Sequence, residues 1–142
     1  MRALVLLVLS VSGSIIGQAI ADEPVKDLDR LKGKWKVTSS EFEGKDATFT
    51  YRRTFMVIEG DELYFTDGFA QSKKTKFKLD TNSDPKSIDL DPDGRIGKGI
   101  YSIDKDLLKL CLNSTPGGER PKEFKTKTGD KTNLFTLERE KP

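Results

Sequence analysis

The sequence predicts an all-β protein, an antiparallel up-and-down barrel of about eight strands preceded by a short N-terminal helix. Short runs of alternating apolar and polar residues recur along the chain, and each run ends at Gly, Asp, Asn or Pro. Several neighbouring runs are separated by turns short enough for antiparallel hairpins. About eight strands can close around their own side chains or around one small ligand, and closure removes the exposed edges of an open sheet.

The first 21 residues have the layout of a secretory signal peptide that is cleaved from the mature protein. Arg2 precedes an apolar run that leads to Ala19-Ile20-Ala21, an A-x-A cleavage site. The alternative is an uncleaved anchor, which is disfavoured because small and polar residues interrupt the run before it reaches the length of a membrane span. We therefore expect an exported protein, periplasmic or extracellular, in which residues 22–142 form one domain with no membrane span.

The remaining elements are predicted in chain order from the same patterns. A short helix is expected at 25–31. Strands are expected near residues 33–42, 51–59, 62–67, 73–80, 86–90, 98–103, 107–113 and 132–139, with a weaker extended segment near 123–126. Tight hairpins are expected at Gly60-Asp61, at Asp67-Gly68 and around Lys105.

Alternation predicts which side chains face the interior. The clearest case is KTKFKLD, in which Thr75, Phe77 and Leu79 share one face and three lysines share the other. The same rule gives the other inward residues: Trp35, Val37, Phe55, Val57, Leu63, Phe65, Ile88, Leu90, Leu108, Leu110, Leu112, Phe135 and Leu137. In RRTFMVI the assignment has an alternative, because Met56 and Ile58 form an equally apolar opposite face.

The chain's only tryptophan lies in LKGKWKV, where Gly33 and Trp35 enter the first strand after the short helix. This Gly-x-Trp arrangement resembles the signature of lipocalins and related calycin barrels. In that family the tryptophan closes one end of the barrel, and an arginine from the end of the last strand packs over it. Alternation in NLFTLERE places Arg139 on the same face as Phe135 and Leu137, so Arg139 is the candidate partner. A cation–π contact of this kind contributes about 0.5 to 2 kcal/mol, and the remaining guanidinium donors could reach backbone carbonyls.

A second resemblance covers nearly all of the chain after the signal peptide. It rests on LKGKWKV, VIEGDELYF, FKLDTNSDPKSIDL, GKGIYSIDKDLLKLCL, PGGERPKEF and LFTLER, in this order. These blocks are similar to a lipocalin-like domain family of unknown function found in secreted proteins of planctomycete bacteria. The resemblance implies the barrel fold and export, and it implies no assigned activity or catalytic residues. Family members often carry a longer segment before GIY than the DPDGRIGK of this chain.

Composition argues against catalysis and against nucleic-acid binding. The chain has no histidine, which excludes Ser-His-Asp and Cys-His arrangements and imidazole metal ligands. Asp and Glu lie mostly in turns or on lysine-rich faces, where a solvated charge is the usual explanation. The 25 basic residues nearly balance the 23 acidic ones, and the lysine clusters lack the aromatic platforms of a nucleic-acid surface. We therefore predict a protein without enzymatic activity or cofactor.

Cys111 is the only cysteine, so the domain has no internal disulfide. If the leucines of LLKLCL face inward, Cys111 shares the outer face with Lys109. The favoured interpretation is a partly covered, unreactive thiol. An intermolecular disulfide or a nucleophile is the alternative, but no histidine is present to activate the thiol.

The segment DLDPDG begins like a calcium loop, with Asp89, Asp91 and Asp93 at alternating positions before a glycine. However, Ile100 stands where a bidentate glutamate is expected, and Pro92 stiffens the loop. A turn rich in Asp and Pro is the favoured interpretation, with calcium binding as the weaker alternative.

Two functions remain open. The first is a non-catalytic module, expected to be monomeric, that binds a small apolar molecule inside the barrel. Its candidate ligand-binding residues are Phe55, Phe65, Phe77, Leu110 and Phe135. The alternative is a structural or protein-interaction domain whose bulky inward residues fill the interior completely. In both cases Gly33, Trp35 and Arg139 form a structural closed end, so that any ligand is expected at the opposite end.

Overall fold

A computed structural model describes residues 24–91 and 97–141. The predicted signal peptide and Asp93 lie outside these residues. The helices are α1 (Pro24–Leu31) and α2 (Thr48–Tyr51). The strands are β1 (Gly33–Phe42), β2 (Lys45–Asp46), β3 (Phe55–Glu59), β4 (Glu62–Thr66), β5 (Thr75–Asp80), β6 (Ser87–Leu90), β7 (Gly97–Asp104), β8 (Leu107–Asn113) and β9 (Thr132–Arg139). In the described part of the chain, no helix is long and apolar enough to span a bilayer.

The strands form a closed antiparallel barrel of eight strands, which confirms the predicted fold class. The barrel strands β1 and β3 to β9 pair in chain order, and β9 pairs back to β1 to close the sheet. The two-residue strand β2 pairs with the last residues of β1. Consecutive strands are therefore neighbours throughout, as expected for an up-and-down barrel.

The two ends of the barrel differ. Trp35 near the start of β1 is opposite Arg139 at the end of β9, and α1 lies at this end, which we call the closed end. Phe42 at the other end of β1 is opposite Asn133, and this end is called the open end. The connections 67–74 and 114–131 lie at the open end together with α2, because the strands that they join end there.

The core consists of the inward faces of the barrel strands, as alternation predicts for most of them. A buried cluster contains Trp35, Val37, Leu63, Phe77, Leu79, Ile88, Leu90, Leu108, Leu110, Leu112, Phe135 and Leu137. Tyr101 of β7 and Leu31 of α1 also belong to this cluster. One continuous apolar interior thus runs along the barrel and is covered by α1 at the closed end.

The prediction is wrong for β3, where Met56 and Ile58 face inward and Phe55 and Val57 do not. Met56 is directly opposite the buried Trp35, so the two side chains point to the same side of the sheet. Phe55 lies outside, with the ammonium group of Lys34 4.3 Å from its ring centroid. Phe55 is therefore no part of the barrel interior.

Three other predictions differ from the structure at the open end. The strand predicted at 51–59 begins at Phe55, because residues 48–51 form α2 instead. Residues 123–126 form no strand, and the whole connection 114–131 is without regular structure. The hairpin predicted at Asp67-Gly68 is a small turn within a longer connection, with a single bridge between Thr66 and Gln71.

Candidate functional site

The closed end is held by Trp35 and Arg139. The Trp35 indole is fully buried, and its Nε1 donates a hydrogen bond to the carbonyl oxygen of Leu31 at 2.8 Å. The Arg139 guanidinium carbon lies 4.2 Å from the indole centroid. Two guanidinium nitrogens donate to the carbonyl oxygens of Arg30 and Lys32. Because helix C-terminal carbonyls have no partner within the helix, these bonds connect the end of α1 to β9.

Gly33 makes room for this arrangement. Its φ of +127° is a backbone conformation that only glycine adopts without strain. A Cβ at this position would lie 3.2 Å from Nη1 of Arg139. The Gly-x-Trp motif therefore combines a backbone bend with the close approach of the arginine. All three closed-end residues act in packing, and none faces a cavity.

A buried carboxylate also connects α1 to the barrel. The Asp27 side chain is fully buried, and its Oδ2 accepts hydrogen bonds from the hydroxyl of Tyr101 at 2.6 Å and from the ammonium of Lys86 at 3.1 Å. Arg30 lies 3.8 Å from the other carboxylate oxygen. Sequence reasoning missed this group, because Asp27 looks like an ordinary acidic residue in the first turn of a helix.

The middle of the barrel is filled by side chains. Phe77, Leu110 and Phe135 are each buried, and Leu110 is directly opposite Phe135 on neighbouring strands. Tyr51 of α2 makes an edge contact with Phe135, with ring centroids 5.1 Å apart. The ring centroid of Phe65 lies 6.0 Å from that of Phe135, and Phe65 is the nearer of the two to the mouth cavity that it lines. The structure thus brings four of the five predicted ligand-binding residues into the interior and leaves Phe55 outside it.

A cavity of about 380 Å³ lies above this layer at the open end, and we call it the mouth cavity. Its lining contains four apolar residues and four polar ones, and the polar ones belong to connections or to a strand start. The apolar residues are Leu63, Phe65, Leu90 and Leu112, and the polar residues are Ser72, Lys73, Thr75 and Ser114. Phe65 is the only predicted ligand-binding residue that lines it. Ser72 and Ser114 were missed because they lie in connections that strand alternation does not describe. Lys73 was missed because the strand predicted to begin at residue 73 begins at Thr75.

Two glycines of β7 shape the wall beside this cavity. Gly97 is opposite Leu90, and Gly99 is opposite Leu112. A Cβ at Gly99 would lie 2.6 Å from the carbonyl oxygen of Cys111 and 3.0 Å from Leu112 Cδ1. Because β7 contributes no side chain at these two positions, the leucines of the flanking strands form this part of the wall.

A larger recess of about 680 Å³ is formed by the connection 114–131 and the ends of β8 and β9; we call it the outer recess. Its lining is dominated by charged residues, including Glu119, Lys122 and Lys125. Arg120 fixes the connection to the barrel, because its guanidinium bonds the carbonyl oxygens of Ile88 and Gly99 and the carboxylate of Asp89. The outer recess is thus polar, whereas the mouth cavity has an apolar wall.

The same connection buries Cys111. The thiol lies on the outer face, as predicted, but it is fully buried rather than partly covered, because Lys125 of the connection passes over it with its carbonyl oxygen 3.8 Å from Sγ. Burial raises the pKa of the thiol to about 11, and the charges of Asp130 and Glu41 act in the same direction. The neutral thiol is therefore the form present near neutral pH.

The acidic segment after β6 is described only in part. Asp89 is on the outer face of β6, and its Oδ1 lies 2.5 Å from Nη2 of Arg120. Asp91 has a positive φ of 67°. Asp93 lies outside the described residues. Within residues 24–91 and 97–141, no group of three His, Cys, Asp or Glu side chains could hold a metal ion. A cation at Asp89 would have to compete with the guanidinium.

Comparison with known proteins assigns no relative to this fold and site. No family model matches the chain, and searches of curated proteins and of solved structures find no match either.

Proposed function

We propose that the protein is a non-catalytic binding module that holds one small apolar molecule in the mouth cavity. The observation that carries the proposal is the cavity itself: it opens at the end opposite Trp35, and its wall is formed by Leu63, Phe65, Leu90 and Leu112. Its volume of about 380 Å³ is within the range of roughly 300 to 1,000 Å³ that is usual for small-molecule sites.

The lining also supports a class of ligand. Apolar side chains favour an aliphatic or aromatic body that leaves water on binding. The polar groups of Ser72, Lys73 and Ser114 also line the cavity, and a polar end of the ligand could pair with them. Because Phe77, Leu110 and Phe135 fill the interior below, the ligand is short and does not run the length of the barrel.

The experiment is to fill the mouth cavity and measure binding. Thr75→Phe places a ring in the cavity, whereas Lys76→Phe places the same ring on the exposed outer face of the same strand. We expect native mass spectrometry of the protein from its source to find a bound apolar molecule, and an apolar fluorescent probe to compete with it. Probe binding should be lost in Thr75→Phe and kept in Lys76→Phe. If the wild-type protein carries no ligand and binds no probe, or if both variants bind equally, the proposal fails.

A second function is supported by a different observation. The outer recess is larger than the mouth cavity, the connection 114–131 presents charged side chains there, and the middle of the barrel is filled. A protein-interaction domain that uses this outer surface fits both facts. If this second function is correct, the wild-type protein carries no apolar ligand and binds no probe. It should instead bind a protein partner, and Lys122→Glu in the outer recess should weaken that binding whereas Thr75→Phe should not.

We further propose that the protein is exported and belongs with the lipocalin-like barrels. Export rests on the N-terminal sequence pattern, and the family on the Gly33, Trp35 and Arg139 arrangement together with the sequence blocks around it. Mass spectrometry of the secreted or periplasmic protein should give an N-terminus at Asp22. A cytoplasmic protein that retains residues 1–21 would contradict export.

A further inference from the structure

Exposed aromatic side chains are concentrated at the open end. Within the described residues, four large hydrophobic side chains are exposed, and three of them are phenylalanines of the open end: Phe42 at 38%, Phe49 at 78% and Phe69 at 98%. The fourth, Leu107 at 38%, is at the closed end. A single exposed apolar residue needs no explanation, but three exposed phenylalanines lie at the same end of the barrel as the mouth cavity. We call the segments 42–54 and 66–74 the aromatic rim.

The two most exposed phenylalanines are carried by neighbouring parts of the rim. Phe55 is opposite Thr66, so the start of β3, which follows α2, lies beside the end of β4. On α2, Tyr51 turns inward to Phe135, while Phe49 is left in solvent. Both ring positions follow from α2, which packs on the barrel interior through Tyr51.

The turn that carries Phe69 is also well ordered. The carboxylate of Asp67 accepts hydrogen bonds from the backbone N–H groups of Phe69 and Ala70, each at 2.8 Å. The hydroxyl of Thr66 donates to the carbonyl oxygen of Ala70 at 2.8 Å. The turn is therefore built around its own polar groups and presents the Phe69 ring to solvent instead of packing it.

Basic residues outnumber acidic ones around these rings. The aromatic rim contains five basic and three acidic residues: Lys45, Arg52, Arg53, Lys73 and Lys74 against Glu43, Asp46 and Asp67. The carboxylates of Asp46 and Asp67 are directed to backbone N–H groups of their own turns. The Arg52 guanidinium carbon lies 4.5 Å from the Phe49 ring centroid, and Lys73 also lines the mouth cavity.

We propose that the aromatic rim docks on the surface of an anionic lipid bilayer, with Phe49 and Phe69 at the level of the upper acyl chains. Basic side chains beside the rings then lie among the anionic headgroups, since long cationic side chains extend toward the polar layer. A lipid surface fits better than a protein partner, because the two rings stand on separate segments of the rim and five basic residues lie in the same segments. Protein interfaces instead centre on a continuous apolar patch depleted of charge. The proposal goes beyond ligand binding and is tested without any ligand.

Vesicle flotation tests the docking. We expect the wild-type protein to float with vesicles of phosphatidylcholine and phosphatidylglycerol in equal parts, to float less with phosphatidylcholine alone, and to be released by added salt. The double variant Phe49→Ser/Phe69→Ser should lose about tenfold or more of its binding, because its contact with the acyl layer is removed. Both rings are exposed, so this variant should keep the wild-type melting temperature. Leu107→Ser at the closed end is the matched control and should bind like the wild type.

The orientation on the bilayer gives an independent readout. Brominated acyl chains quench a tryptophan that enters the bilayer, and Trp35 lies at the closed end. We expect no quenching of Trp35 in the wild-type protein, strong quenching in Phe69→Trp, and none beyond the wild-type level in Leu107→Trp. Binding that is equally strong without anionic lipid, or quenching of the Leu107→Trp protein, would overturn the proposal. So would wild-type protein that stays unbound on both kinds of vesicle, or a self-associated state in solution that the double serine variant abolishes.

Discussion

At the residue scale, Trp35 is the single side chain on which the closed end depends most. It is fully buried, it packs against Met56 on the neighbouring strand, and its N–H is bonded to the end of α1. We expect Trp35→Ala to lower the free energy of unfolding by about 3 to 5 kcal/mol, because a large cavity is left and the Leu31 carbonyl loses its donor. Urea unfolding followed by circular dichroism measures this. Trp35→Phe, which keeps a ring, should cost less. An alanine variant within about 1 kcal/mol of the wild type would contradict the packing described.

Arg139 should be the charged residue whose loss at the closed end costs most. Its guanidinium covers the indole and bonds two backbone carbonyls, so Arg139→Ala removes a cation–π contact and leaves two acceptors without their donor. We expect a cost of about 2 to 4 kcal/mol. Arg139→Lys should recover only part of it, because one ammonium cannot reproduce the planar fork. The control is Lys76→Ala on an exposed strand face. Equal melting temperatures of the two alanine variants would show that the contact contributes no stability.

Cys111 should make stability depend on pH in alkaline solution. The pKa of the buried thiol is raised to about 11 from its usual value of 9.0, so the folded state holds the proton more tightly than the unfolded state. This contribution is complete below pH 9 and is lost as the pH rises toward 11. Unfolding midpoints of the wild type should therefore fall more steeply between pH 9 and 11 than those of Cys111→Ala. All other titratable groups are common to both proteins, so the difference reports the thiol. Parallel curves would mean that Cys111 is ionised as easily in the folded state.

Residue patterns predicted the interior wherever only one face of a strand is apolar. In β5 the lysines exclude one face of the strand from the interior, and Phe77 and Leu79 are buried on the other face, as alternation predicts. In β3 both faces are apolar, so the sequence cannot decide between Phe55 and Met56. The pairing of Met56 with Trp35 across two strands decides it, and that register is a property of the closed barrel.

At the element scale, helix α2 shows how tertiary contacts override local preference. The segment TFTY is rich in β-branched and aromatic residues, which favour a strand, yet it forms a helical turn. The Asp46 carboxylate accepts from the Thr48 backbone N–H, and the Thr48 hydroxyl lies within bonding distance of the Ser40 backbone. Tyr51 then packs on Phe135. These contacts come from β1, β2 and β9, which a reading of the segment alone does not include.

Helix α1 should be attached to the barrel mainly through Asp27. The buried carboxylate accepts from Tyr101 and Lys86, so Asp27→Ala removes an acceptor that both donors share. We expect a loss of about 3 kcal/mol in the free energy of unfolding and faster proteolysis of α1. Asp29→Ala is the matched control on the same helix, since Asp29 is exposed and forms a surface ion pair with Lys32. If both variants lose the same stability, the buried network does not hold the helix.

At the scale of the whole molecule, the two ends of the barrel differ: the closed end carries structural contacts, and the open end carries the features on which the proposed functions rest. The fully buried hydrogen-bonding groups of Trp35 and Asp27 are at the closed end, whereas the mouth cavity, the aromatic rim and the connection 114–131 are at the open end. The Gly-x-Trp motif predicted the contacts of the closed end, because its residues have a structural role there. It did not predict the residues of the mouth cavity, because the cavity lining is shared between strand ends and connections that meet only after the barrel has closed.

The barrel should also open more easily along one seam than elsewhere. β8 pairs with β9 along its whole length, but β4 pairs with β5 only through Glu62 with Lys76 and Leu63 with Thr75. Beyond these pairs the Phe65 N–H donates to the hydroxyl of Ser72 instead of to a backbone carbonyl. We expect the Phe65 amide to exchange its hydrogen about tenfold or more faster than the amides of Leu110 and Phe135, measured by NMR in deuterated buffer.

The same seam borders the mouth cavity, since Phe65, Ser72 and Thr75 all line it. A probe bound there should slow exchange at Phe65 and leave the closed-end amides unchanged, because it binds only the closed form of the seam. Ser72→Ala should speed exchange at Phe65 without a probe, whereas Ser102→Ala on the exposed face of β7 should not. Uniform hydrogen exchange around the barrel would contradict a weak seam between β4 and β5. If the probe slows exchange equally in every strand, it stabilises the whole fold and does not act at the entrance of the mouth cavity.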